Sequence, residues 1–185
     1  MSGCCEHPVC DKLCLIIDLE GFTIQGRFQA RELGYYSWQG DRGGCFFDVT
    51  VPYSKLNRSE RAVVAKVTRQ ISGLPYRPKP AERPVFHQRE LVSQIQRLYR
   101  EFRTDVRRVV GFKGGHFEKD ILLALKIPYK NIEEWGCPRY DDIRHSVIDT
   151  SGDVGCGCHT NPNENHCPQV ECEVFWAWTR SNVFF

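Results

Sequence analysis

The sequence has no apolar run that approaches the ~20 residues needed for a membrane-spanning helix. It also has no low-complexity tract and no internal repeat, and aromatic residues make up 12% of it, which argues against wholesale disorder and against a repeat architecture. The first ten residues, MSGCCEHPVC, lack the basic region and apolar stretch of a secretory signal. We therefore expect an intracellular protein, cytoplasmic or nuclear, without a membrane partner.

The composition is that of a globular protein. Of 185 residues, 41% are hydrophobic and 26% are charged, and the formal net charge is +2. This length suits one domain that buries a real hydrophobic core. We place that domain at residues 12–185 and treat residues 1–11 as a separate cysteine-rich segment.

Cysteine is unusually abundant, with 10 residues in the chain. Because no secretory signal accompanies them, metal ligation by thiolates is favoured over a disulfide framework. Paired CxxC knuckles are missing, which disfavours a small interaction module of the zinc-finger type. Cys14 and Cys45 fall inside strand-like segments and are expected to be packing residues. The others lie towards the two ends of the chain, at positions 4, 5, 10, 137, 156, 158, 167 and 172.

The small net charge conceals a division along the chain. Residues 76–130 hold 13 Lys and Arg against 6 Asp and Glu, whereas residues 131–185 hold 3 against 9. A basic middle predicts a surface for single-stranded RNA or DNA, although solvated helix faces would give the same pattern. The candidate phosphate contacts are Arg97, Arg100, Arg107, Arg108 and Lys113, with further cations at Arg77, Lys79, Arg83, Arg103 and Lys119.

Hydrophobic periodicity predicts an α/β fold with five strands. One segment, 88–102, carries a clear helical stripe, Leu91, Ile95, Leu98 and Phe102. The proline-rich segment 75–84 is expected to be an extended connection and a flexible rim. The order is typical of the ribonuclease H-like fold, a mixed sheet flanked by helices, and also fits other α/β domains. The strand-like segments are 12–18, 22–36, 45–51, 106–112 and 127–132, the last of which also fits a loop. The helical segments are 59–71, 88–102, 117–126 and 170–180, the last of which is also compatible with a strand.

Two carboxylates, Asp18 and Glu20, end the apolar segment KLCLII. On a strand, residues i and i+2 point to the same side. Paired acids at the edge of a buried strand repel each other unless a cation lies between them. The pattern therefore predicts a Mg²⁺ or Mn²⁺ site, with two solvated acids at an exposed strand end as the alternative.

A strand followed by Asp-x-Glu-Gly-Phe and a meander resembles the first motif of DnaQ-like 3′–5′ exonucleases. The stretch VVGFKGGHFEKDIL resembles the second motif, with Phe117-Glu118 where Phe-Asp is usual and Asp120 as a neighbouring alternative. The stretch HCPQVE places His166 and Glu171 at the spacing of the last motif, with Glu in place of Asp. The resemblance implies metal-dependent phosphodiester hydrolysis, with the general base His166 and four acids that hold two metal ions: Asp18, Glu20, Glu171 and either Glu118 or Asp120.

The second half of the chain also resembles the Maelstrom domain, a ribonuclease H-like relative of the same lineage. The similarity is carried by 114–119, by NIE leading to GCP at 131–138, and by Cys156-x-x-His159 followed by Cys167. In that family a buried zinc tetrad generally replaces the acidic site. The resemblance implies a structural Zn²⁺ held by Glu118, Cys137, His159 and Cys167, with Cys156, Cys158, His166 and Cys172 as reserves.

The N-terminal Cys4, Cys5, His7 and Cys10 form a candidate second metal site. The sequence thus leaves two functions open. One is a metal-dependent nuclease for single strands with a structural zinc, and the other is a catalytically degenerate, zinc-stabilised domain that binds nucleic acid or protein.

Overall fold

The computed structural model describes residues 12–80, 82–147, 156–159 and 166–183. The N-terminal Cys4, Cys5, His7 and Cys10 lie outside these ranges. Six strands form one mixed sheet, and five α-helices flank it in the described part of the chain. The α/β class and the mixed sheet were predicted correctly, but the predicted count of five strands was wrong.

The sheet has the strand order β4-β3-β2-β1-β5-β6. The first three strands form an antiparallel meander, while β5 pairs in parallel with β1, β6 with β5, and β4 with β3. The unpredicted strand is β4, a three-residue edge strand that directly follows Pro84. The strands are β1 (Leu13–Ile24), β2 (Arg27–Ser37), β3 (Arg42–Asp48), β4 (Val85–His87), β5 (Val109–Phe112) and β6 (Tyr129–Asn131).

The helices follow the expected order, with one addition. The helix that was not predicted, Tyr140–Val147, buries only Ile143 among its described side chains. Its sequence therefore carries little of the apolar periodicity that reveals a helix. A π-helical turn at Val67–Ile71 continues the first helix. The helices are α1 (Arg58–Lys66), α2 (Leu91–Phe102), α3 (His116–Ala124), α4 (Tyr140–Val147) and α5 (Pro168–Asn182). None of the described helices combines the length and the apolar character needed to cross a membrane.

Two layers of side chains cover the sheet. On one face, the predicted stripe of α2 and Leu122 of α3 pack against β1, and Cys14 and Cys45 lie in this core as predicted. On the other face, α4 and α5 cover the start of β1, and α1 covers its end around Phe22 and Ile24. Between these two clusters, the second face of β1 carries Asp18 and Glu20 instead of apolar side chains.

Candidate metal centres

Strand register places two pairs of residues from β1 and β2 together on that second face. Asp18 pairs with Gly34, and Glu20 pairs with Glu32, across the antiparallel β1–β2 ladder. The next pair is Gly21 with Ala30, so Arg31 is an additional residue in a β-bulge. Because i and i+2 share a face, the side chains of Glu20 and Glu32 are direct cross-strand neighbours.

Gly34 lets helix α5 approach this face closely. A Cβ atom at position 34 would lie 2.3 Å from the carbonyl carbon of Pro168 and 2.4 Å from the backbone nitrogen of Gln169. The first turn of α5 therefore rests directly on the strand backbone, opposite Asp18. This contact carries Cys167, the N-cap of α5, and Glu171, one turn later, to the acidic positions of β1 and β2.

The first centre consists of Glu32, Cys156, His159 and Cys167. One ligand atom from each residue lies within 4.8 Å of the other three. Three of the residues are buried, and Cys156 is half-buried. Tetrahedral zinc with bond lengths of about 2.0–2.3 Å separates its ligand atoms by about 3.3–3.8 Å, so modest contraction would close this group around an ion.

The imidazole of His159 is oriented as a metal ligand. Its Nδ1 contacts the carbonyl oxygen of Ser72, and this contact makes Nδ1 the protonated nitrogen and leaves the Nε2 lone pair available. Nε2 lies 3.0 Å from Oε2 of Glu32, so the two side chains form an ion pair when the imidazole is protonated. The other oxygen of Glu32, Oε1, accepts a hydrogen bond from Gln169 Nε2 at 3.0 Å. A buried nitrogen and oxygen facing each other in this way fit a shared cation.

The two thiols share a hydrogen bond that shifts their pKa values in opposite directions. A hydrogen bond from Cys156 and the nearby His159 outweigh burial and lower the pKa of Cys167 to about 4. The same hydrogen bond and burial raise the pKa of Cys156. Burial opposes protonation of His159, but Cys167 and Glu32 outweigh it and raise its pKa to about 11. Without a metal the cluster must retain protons, and a divalent cation would replace them.

Two of the four expected zinc ligands belong to this group. His159 and Cys167 are in it, and Cys156 was a reserve candidate. Cys137 lies instead in the core beneath α4 and α5, where burial raises its pKa to about 12. The candidate ligand that the sequence did not predict is Glu32. Its only indication in the sequence is a charged residue inside an apolar strand, and its place in the group depends on its pairing with Glu20.

Glu118 lies at the acidic end of β1, outside the zinc-type group of Glu32, Cys156, His159 and Cys167. The residues of β1 that pair with β5 end at Ile16. Beyond that point the Leu19 N–H donates instead to Oε1 of Glu118, at 3.1 Å. The other oxygen, Oε2, is buried and has no hydrogen-bond partner among the described residues. A Cβ atom on Gly115 would meet that oxygen at 1.9 Å, so the glycine is what lets this carboxylate fold back towards the strand.

Four further carboxylates, Asp18, Glu20, Glu118 and Glu171, form the second candidate centre, although among the described residues only the Glu-Cys-His-Cys group brings its ligand atoms within 4.8 Å of one another. Burial, followed by the charge of Glu171, raises the pKa of Asp18 well above its usual range and that of Glu20 to about 8. Glu118 adds to both shifts. Acids that disfavour one another's ionisation in this way provide oxygen ligands for a hard divalent cation.

His166 accompanies this cluster. Its Nδ1 lies 2.5 Å from Oε1 of Glu171, and its Nε2 lies 3.7 Å from Oδ2 of Asp141 on α4. Its backbone N–H donates to the carbonyl oxygen of Ile71 at 2.8 Å, which fixes the residue just before Cys167. The predicted alternative acid, Asp120, is exposed on α3, whereas Glu118 is buried.

The five candidate phosphate contacts do not converge on either centre. Arg97 pairs with Glu101, Arg108 with Asp105, and Lys113 with Glu133. Arg107 covers the ring of Trp38 and donates to the carbonyl oxygen of Leu13, and Arg100 is exposed on α2. Most of these side chains therefore have partners within the chain.

No protein-family model matches the chain, and no curated protein matches it either. The function therefore has to be argued from the two centres themselves.

Proposed function

We propose that the chain is a ribonuclease H-like domain of the DnaQ-like lineage, related to Maelstrom domains, which hydrolyses single-stranded RNA or DNA. The proposal depends chiefly on one observation, that a Glu-Cys-His-Cys group and a four-carboxylate cluster adjoin on the same face of β1 and β2. Glu20 and Glu32 are cross-strand partners. Cys167 and Glu171 are one turn apart, and the Glu171 N–H donates to the carbonyl oxygen of Cys167.

Zinc is the metal that best fits the Glu-Cys-His-Cys group. Two sulfur donors, one imidazole nitrogen and one carboxylate oxygen are borderline-soft ligands that suit tetrahedral Zn²⁺, and four protein ligands leave no position open for substrate. The site would therefore be structural. It would tie the segment 156–159 to β2 and to the start of α5.

Four carboxylates suit Mg²⁺ or Mn²⁺, with Asp18, Glu20, Glu118 and Glu171 as the residues that would hold it. A divalent cation held there would neutralise charge on a phosphodiester and would lower the pKa of a bound water. His166 keeps Nδ1 on Glu171 and receives the proton of the attacking water at Nε2. The Leu19 N–H holds Glu118 in place during this step.

Metal analysis tests the zinc assignment. We expect one zinc per chain in purified wild-type protein and in Cys45→Ser, because Cys45 packs in the core on the other face of the sheet. Cys156→Ser removes a ligand, so we expect it to lose zinc and to melt at a lower temperature, since zinc binding contributes to folding free energy. Stoichiometric zinc in Cys156→Ser, or a metal-free and fully folded wild type, would contradict the assignment.

Cleavage of labelled single strands tests the carboxylate cluster. With Mn²⁺ present, we expect Asp18→Asn to lose roughly 100-fold or more in rate, since metal charge stabilisation contributes several kcal/mol. Asp120→Asn is the matched control and should retain activity, because Asp120 is exposed. Unchanged cleavage in Asp18→Asn would refute this mechanism.

A second candidate function is nucleic-acid binding without hydrolysis. The specific observation in its favour is that Glu stands where the DnaQ-like motifs have Asp at two positions, and that one oxygen of each is already in contact with the protein, Glu118 with the Leu19 N–H and Glu171 with His166. Zinc-loaded wild-type protein that binds single strands but leaves them intact with Mn²⁺ would favour this function.

A further inference from the structure

A third thiol lies beside the zinc-type group without belonging to it. Cys158 follows the candidate ligand Cys156 by two residues, but the group takes its two sulfur atoms from Cys156 and Cys167. The Cys158 thiol donates to the carbonyl oxygen of Cys156, at 3.7 Å, and also lies within hydrogen-bond reach of the Cys156 side chain. The carboxylate cluster does not use this thiol either.

Cys156 contacts both of the other thiols. Its side chain shares a hydrogen bond with Cys167, and the two sulfur atoms lie within 4.8 Å of each other. Its other sulfur neighbour is Cys158. No disulfide joins these three described residues. Because a disulfide needs a sulfur–sulfur distance of about 2.05 Å, Cys156 has two possible partners within a short side-chain movement.

The backbone between Cys156 and Cys158 is already folded for such a bond. Gly157 has a φ of +77°, a left-handed conformation that favours glycine. The Cys158 N–H donates to the Cys156 sulfur across this turn. Two Cα steps of about 3.8 Å, folded in this way, suit the Cα separation of about 4.4–6.8 Å that a disulfide requires. A disulfide closed over so short a turn is strained, and strained disulfides are the ones that are easily reduced again.

Exposure separates the two possible partners. Cys156 and Cys158 are half-buried, so a small solute reaches them from solvent, whereas Cys167 is 3% exposed at the start of α5. A thiolate that binds metal is also a nucleophile. The pair most accessible to an oxidant is therefore Cys156 with Cys158, and only the first of them belongs to the zinc-type group.

The turn lies against a chain segment that is held in place. The charge of Glu82 acts on Cys158. Glu82 and Arg31 form an ion pair at 2.6 Å whose side chains are 0% and 1% exposed, and Arg31 also donates to the carbonyl oxygen of Pro75. This buried pair, the loop anchor, fixes the basic, proline-rich segment 75–84, whose prolines suggested a flexible rim. Movement of the turn therefore leaves the surface behind it unchanged.

We propose that Cys156-Gly157-Cys158 is a redox modification site, at which hydrogen peroxide forms a reversible Cys156–Cys158 disulfide and thereby releases the zinc ion. The inference rests on the proposed zinc assignment and adds a means of regulating that same site.

The chemistry balances without a further reactant. The Cys156 thiolate attacks one oxygen of the peroxide, the O–O bond breaks, and hydroxide leaves. The Cys158 thiol then attacks the sulfenic sulfur of Cys156, so that an S–S bond replaces the S–O bond and water leaves with the thiol proton. The peroxide gains two electrons, and each sulfur loses one.

The disulfide removes one of the four ligands. Zinc favours four protein ligands in a structural site, so the three that remain should hold it less tightly. Cys167 is the N-cap of α5 and lies one turn before Glu171. Release of zinc therefore also loosens the start of the helix that carries an acid of the carboxylate cluster.

Peroxide treatment of the zinc-loaded full chain, with a chromogenic zinc chelator present, measures the release of metal. We expect one zinc per chain to be released, and to be bound again after addition of dithiothreitol and zinc. Digestion after Glu distinguishes the two possible disulfides, because Glu164 separates Cys156 and Cys158 from Cys167. Mass spectrometry should show two hydrogen atoms lost within the single peptide that holds Cys156 and Cys158.

Cys158→Ser tests the second thiol. The reduced variant should hold one zinc and melt at the wild-type temperature, because Cys158 is outside the zinc-type group. Without Cys158, peroxide carries Cys156 on to the sulfinic acid, which dithiothreitol does not reverse, so the recovered zinc should fall to roughly one tenth of the wild-type value. The matched control, Cys45→Ser, also removes one thiol outside the group and should release and recover zinc like the wild type, since Cys45 is buried in the core.

Full recovery of zinc binding in Cys158→Ser would overturn the proposal, as would a wild-type disulfide between Cys156 and Cys167. Loss of zinc from reduced Cys158→Ser would overturn it by making Cys158 a ligand. Reduced wild-type protein without zinc would contradict the zinc assignment and this inference together. Zinc that stays bound throughout the peroxide treatment would contradict this inference alone.

Discussion

Replacing Gly34 with alanine tests how closely the two centres depend on the position of α5. The added Cβ would lie 2.3 Å from the carbonyl carbon of Pro168, 2.4 Å from the Gln169 nitrogen and 2.6 Å from the Pro168 Cβ. Two of these neighbours are backbone atoms and the third is part of a proline ring. A change of rotamer therefore cannot relieve the overlap, and the helix itself must move.

The size of the effect follows from these distances. Ordinary contacts of a Cβ begin at 3.4 Å, so the first turn of α5 must retreat by about 1.1 Å. Overpacking of this kind costs about 1–3 kcal/mol of folding free energy. Cys167 and Glu171 move with the helix, and a displacement of about 1 Å at a reacting group can cost roughly 100-fold in rate. We expect weaker zinc retention and a large loss of cleavage together.

Urea unfolding, zinc analysis and a cleavage assay measure the three consequences. The control is Gly26→Ala in the β1–β2 turn, where no atom lies within 4 Å of an added Cβ but φ is +71°. Its backbone strain should cost about 1 kcal/mol while α5 stays in place, so zinc and cleavage should be retained. Wild-type stability, zinc content and cleavage in Gly34→Ala would refute this account of how α5 docks.

The remaining predictions concern ion pairs. Glu82→Gln leaves the guanidinium of Arg31 buried without a counter-charge, so we expect a loss of about 3 kcal/mol in urea unfolding. The same substitution at Glu101, whose pair with Arg97 is about half exposed, should change stability by less than about 1 kcal/mol. Similar losses in the two variants would show that the loop anchor has no special role.

Local patterns in the sequence were enough for several parts of the fold and of the centres. The stripe of α2 and the apolar run of β1 follow from periodicities of 3.6 and 2, which depend on neighbouring residues only. The same period of 2 predicts that Asp18 and Glu20 share a face. The resemblance to the last DnaQ-like motif singled out His166 and Glu171, but a separation of five residues does not by itself predict that their side chains meet.

Contacts between distant segments could not be obtained in this way. Glu32 joins the zinc-type group because a bulge at Arg31 sets the register of β2 against β1, and one residue of slip would turn its side chain to the other face. The choice of Cys156 over Cys137 depends on where the segment 156–159 meets the sheet. The assignment of Glu118 to the carboxylate cluster depends on β1 extending beyond β5 and leaving the Leu19 N–H free to bind it.

The sequence by itself determined which residue types were present for metal and phosphate chemistry, and which of them were close along one strand or helix turn. The tertiary structure alone decided how they were divided: four carboxylates with His166, a Glu-Cys-His-Cys group beside them, and a basic loop fixed by a buried ion pair. The physical reason is that strand register, the approach of α5 to Gly34 and the burial of Arg31 with Glu82 are set by packing between segments that are distant in the chain.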